Sequence, residues 1–173
     1  MDSRTLIDRE EIGELERDET PAERVDRNFN ELLGELRIAL PGVQVLFAFL
    51  LTVPFAQGFA QLSGFERGVY FAVLLLTALS SAFLIAPTAY HRLLFRQGRK
   101  REILFFANRA AVLGLGALAL AMSGAILLIT HFLFGPGAAI PVGIAALFLF
   151  GSLWYLLPVA RARGILGGDG GGL

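Results

Sequence analysis

The segment Ala110–Ala160 runs for 51 residues without a single Asp, Glu, Lys or Arg. One crossing of a bilayer core takes about 20 predominantly apolar residues, so this segment has room for two. Ile38–Phe65 adds 28 more uncharged residues, and most of the remaining charge gathers before residue 38 or in short clusters. A hydrophobic fraction of 55% against 17% charged residues points the same way. Soluble domains average roughly 45–50% and about 25%. A soluble core built from 173 residues does not hide that much apolar chain. The sequence therefore predicts an all-α, polytopic membrane protein, because helices satisfy their own backbone hydrogen bonds in lipid.

Four transmembrane helices are expected, preceded by a cytoplasmic amphipathic helix. Residues 1–19 are highly charged, show no hydrophobic period and read as a disordered acidic arm. Thr20, Pro21 and Glu23 stand in the order of N-cap, first helical residue and capping-box carboxylate. Val25, Phe29, Leu32, Leu33, Leu36 and Leu40 then recur at three- and four-residue steps. That spacing makes 20–40 one amphipathic helix, lying on the bilayer or against its own bundle, or docking a separate protein. Pro41–Gly42 reads as a break before the membrane domain, 41–160. Its spans fall at about 43–62, 68–90, 104–134 and 139–158, separated by Ser63–Gly64, a basic loop, and Gly135-Pro136-Gly137. The third is longer than one crossing needs, so tilt or projection into the cytoplasm absorbs the excess. The glycine-rich residues 161–173 read as a flexible tail.

Charge placement gives an orientation. Residues 1–37 hold twelve acidic and six basic side chains, and the rest of the chain three acidic and nine basic. Between the second and third spans lie Arg92, Arg96, Arg99, Lys100 and Arg101, and Arg161 and Arg163 follow the fourth. The opposite side offers only Arg67. The positive-inside rule then puts both termini in the cytoplasm, with Tyr90, Trp154 and Tyr155 expected near that interface and Tyr70 near the outer one. The basic set could also bind anionic lipid headgroups. Without a soluble, strongly basic domain, a nucleic-acid partner is not expected. The absence of cysteine excludes disulfides, thiolate catalysis and thiolate metal ligands.

Candidate chemistry is sparse. His91 and His131 fall at opposite ends of the bundle, about 30 Å apart, too far to share a metal within one chain. His131 could bind a proton or simply be an interfacial histidine. Glu66 is assigned to the outer turn and Glu102 to the basic loop, so no carboxylate is expected at membrane depth. Pro54 should kink the first span and free the carbonyl of Leu50, and Thr52 and Gln57 nearby could build a polar pocket. Arg109 could snorkel to the headgroups or pair inside the bundle, and it joins His131 among the candidates for that pocket. Gly114, Ala117, Ala121 and Ala125 form a small-residue ridge suited to close helix packing, within the chain or in a homo-oligomer. Catalytic residues, metal ligands and cofactors are not expected.

The segments ERVDRNFNELLGELRIALPGVQVLFAFLLTVPF and AYHRLLFRQGRK, with ANR shortly after, resemble a bacterial family of small integral membrane proteins of unknown function. The resemblance covers about Glu23 to Ala160 and implies four membrane helices in the bacterial inner membrane, with no catalytic residues to carry over. Some members carry an automatically transferred label of sodium:proton antiporter. Three functions follow for comparison: a non-enzymatic scaffold or regulatory subunit, an oligomeric channel or transporter, and, weakest, an intramembrane enzyme. The last lacks a Ser–His or carboxylate pair at one depth.

Overall fold

The computed structural model describes residues 21–94 and 100–163, and among them there is no strand. Helix α1 spans Pro21–Thr52, α2 Gly64–Leu94, α3 Lys100–Phe134 and α4 Pro136–Gly151. A π-turn at Ser152–Leu156 carries α4 into the short α5, Leu157–Ala162. Four segments are long and apolar enough to cross a membrane: Arg27–Phe55, Gly64–Tyr90, Ile103–Phe134 and Pro136–Arg161. The fold is that of a four-span helical membrane protein. The expected arm 1–19, the cap at Thr20 and the tail beyond Arg163 lie outside the described residues.

The predicted break at Pro41–Gly42 does not occur. α1 passes straight through both residues. Pro41 lacks the N–H that would bond the carbonyl of Arg37, but packing on either side holds the helix in line. Leu36 and Val43 are buried together with Leu84 of α2 and Ala111 of α3, and Leu32 and Leu40 pack on that cluster. Segments 20–40 and 43–62 are therefore not separate elements. The N-terminal half of α1 packs on the bundle itself, with Phe29 buried against Ile103 and Ala107. That contact also accounts for the length of α3, whose 35 residues reach about 52 Å at 1.5 Å per residue. The hydrocarbon core is only about 30 Å thick.

The first span also ends earlier than predicted. After Thr52 the chain makes two 3-10 turns, Val53–Phe55 and Gln57–Gln61, joined by an extended Ala56. Pro54 therefore sits in a turn beyond the α-helix, at the very end of the apolar segment Arg27–Phe55, and does not kink the helix. The carbonyl of Leu50, which Pro54 cannot serve, accepts the Tyr70 hydroxyl at 2.5 Å. Phe59 meets the Tyr70 ring edge-on, and Arg67 donates to the carbonyl of Ala60, so the turns of 53–61 are tied to the first turns of α2.

α2 and α3 form the central antiparallel pair, α1 lies across one side of it, and α4 flanks α3. A single non-helical residue, Gly135, separates α3 from α4. Its φ of +80° suits glycine, which has no Cβ to clash there. The π-turn precedes Pro158, which cannot donate to the carbonyl of Trp154. It directs the Tyr155 hydroxyl onto the carbonyl of Val112 at 2.6 Å. Tyr155 thus reaches across to α3 and lies beside Gly116.

Candidate functional site

The end of the bundle where α2 begins and α3 finishes holds a connected polar cluster. Ser63 and Glu66 form a capping box at the start of α2. Glu66 Oε2 accepts the Ser63 N–H at 2.7 Å and the Ser63 hydroxyl at 2.8 Å, while Ser63 Oγ accepts the Glu66 N–H at 3.3 Å. The other carboxylate oxygen, Oε1, faces His131 Nδ1 of α3 at 3.3 Å. An ionised carboxylate only accepts, so Nδ1 carries the proton of that bond. The Phe65 ring covers the imidazole at 5.4 Å between centroids. Glu66 is buried and His131 half-buried.

The sequence assigned Glu66 and His131 to the same side of the bundle without joining them, and the structure brings them into one pair. A signal for it existed. Glu66 and His131 stand 32 and 33 residues either side of position 98, in the connection between two antiparallel helices. Equal distances from that connection bring residues level. Chemically the order matters: the carboxylate stands between serine and histidine, whereas an activated serine needs histidine in the middle. Ser63 is a cap, not a nucleophile.

The other candidates are dispersed. Thr52 donates to the carbonyl of Phe49 within its own helix. Thr52, Pro54 and Gln57 are exposed where α1 gives way to the 3-10 turns, and Arg109 is exposed in the N-terminal third of α3, towards the other end of the bundle. These residues and His131 do not form one pocket. Arg92 is exposed in the last turn of α2, Lys100 and Arg101 open α3, and Arg96 and Arg99 lie outside the described residues. No group of three or more potential metal ligands occurs among the described residues.

The small residues face α2 within the chain. A Cβ on Gly114 would stand 2.8 Å from Leu84, and one on Gly124 would stand 2.7 Å from Val73. The Ser80 hydroxyl crosses the seam to the carbonyl of Gly114 at 2.8 Å. Ala117 and Ala121 are buried, and Ala125 packs on the cluster of Leu50, Tyr70, Val73 and Ala121. Gly143 plays the same part between α4 and α3, where a Cβ would meet Leu127 at 2.8 Å.

No curated protein and no solved structure matches the chain. The sequence does match a family of unknown function over residues 18–158, which takes in all four spans to within three residues of the end of the last. With four apolar helices over that same stretch, the chain belongs to the DUF6328 family.

Proposed function

We propose that the chain is a non-enzymatic scaffold or regulatory subunit of the bacterial inner membrane, with both termini in the cytoplasm. One observation carries this reading: the hydroxyls of Thr77, Ser80 and Ser123, buried in the α2–α3 core, are engaged in bonds within the bundle, and among the described residues only Ser81 Oγ is buried without a partner. Thr77 donates to the carbonyl of Val73, Ser123 to that of Ala119, and Ser80 to that of Gly114. A permeation path or catalytic centre needs such groups turned towards a shared polar cavity. A groove of about 520 Å³ between α2, α3 and α4 is lined instead by residues such as Leu76, Phe83, Leu120 and Leu147.

A second reading, an oligomeric channel or sodium:proton antiporter, is favoured by the Glu66–His131 pair, because titratable groups at a span's end can serve an ion path. Sodium-driven pH change in proteoliposomes of the purified protein separates the two. The scaffold reading expects no exchange above empty liposomes. Exchange that disappears in Glu66→Gln would replace it with the transporter.

A further inference from the structure

At the end of the bundle opposite Glu66 and His131, Asn28 of α1 and Asn108 of α3 line one notch of about 300 Å³ with Leu32, Leu104 and Phe105. Both asparagines are exposed. The antiparallel register fixes its level: Leu84 lies against Gly114, and Tyr90 stacks on Phe106 with ring centroids 4.5 Å apart. Asn108 therefore lies within about a turn of Tyr90, where the uncharged run Gly68–His91 gives way to Arg92. Aromatic residues at such a transition mark the headgroup level of a bilayer.

We propose that this notch seats the phosphate and glycerol of one anionic glycerophospholipid. The proposal rests on the chain crossing a bilayer and is independent of the scaffold reading. Two primary amides offer four N–H donors for the non-bridging and ester oxygens of the headgroup. Leu32, Leu104 and Phe105 supply an apolar wall for the first methylenes. Arg109, which follows Asn108 directly, and Arg92 are both exposed at this end, and each adds positive charge that selects an anionic lipid. The notch is at the small end of ligand pockets, which suits a headgroup with its glycerol and not a whole lipid.

The test is native mass spectrometry of the full chain released from detergent micelles containing phosphatidylglycerol, phosphatidylcholine or glycerol 3-phosphate. The wild type should retain phosphatidylglycerol in preference to phosphatidylcholine and should not retain glycerol phosphate. Asn28→Leu and Asn108→Leu should each weaken retention about tenfold, equivalent to ~1.4 kcal/mol. Asn30→Leu, on an exposed face of α1 outside the notch, should change nothing and controls for general effects on α1. Equal retention of the two lipids, or wild-type retention by Asn108→Leu, would overturn the assignment and leave the notch to a protein segment such as the acidic residues 1–20. Retention of glycerol phosphate alone would also overturn it, because the apolar wall would then contribute nothing.

Discussion

Gly114 carries more of the structure than its size suggests, because its missing side chain brings α3 against Leu84 and exposes its carbonyl to Ser80. Packing of this kind holds helices together in lipid, where apolar burial provides little drive. Gly114→Leu should therefore cost about 1–3 kcal/mol through overpacking, read as a lower melting temperature in detergent. Gly34→Leu, with open space around it, should not lower the melting temperature and should raise it slightly, since leucine is the better helix former. A Gly114→Leu protein that keeps wild-type stability but loses oligomers would move the ridge to a subunit contact. At the start of α2, Tyr70→Phe removes the hydroxyl that serves the Leu50 carbonyl and should cost about 0.5–1.5 kcal/mol, measurable by denaturant titration. Glu66→Ala should lower the melting temperature more than His131→Ala. The first removes both the capping box and the tie between helices, and the second only the tie.

At the level of the element, the informative case is α1. Its amphipathic pattern, its proline and the apolar run after it are all plain in the sequence, yet they form one rod of 32 residues. Local propensity favoured a stop at Pro41, and burial of Leu36 and Val43 in a common cluster overrode it. Spin labels at Gly34 and Ala48, both exposed, should give one narrow distance distribution near ~21 Å for helical spacing. A broad distribution would restore the break. The end of α1 was only partly readable. Pro54 marked the orphan carbonyl of Leu50, but the donor that satisfies it comes from another helix, 20 residues away.

For the whole molecule, the orientation drawn from the basic residues is open to direct measurement, since the chain has no native cysteine. A cysteine at Gly58, exposed on the outer hairpin, should react with an impermeant thiol reagent in intact cells. Cysteines at Ser3 and Gln97 should not, and labelling at Gln97 would invert the topology. The class, the number of spans and which ends of them lie together were all legible before any packing was known. Those follow from hydropathy and charge, which act over whole segments and do not depend on neighbours. Tertiary structure decided the rest. Whether Pro41 breaks a helix depended on what lies beside Val43. Glu66 and His131, 65 positions apart, met only because α2 and α3 pack in one register. Tyr155 bonds the carbonyl of Val112 because the absent side chain of Gly116 leaves it room against α3. In each case the outcome was set by a partner distant in sequence, and periodicity carries no record of that partner.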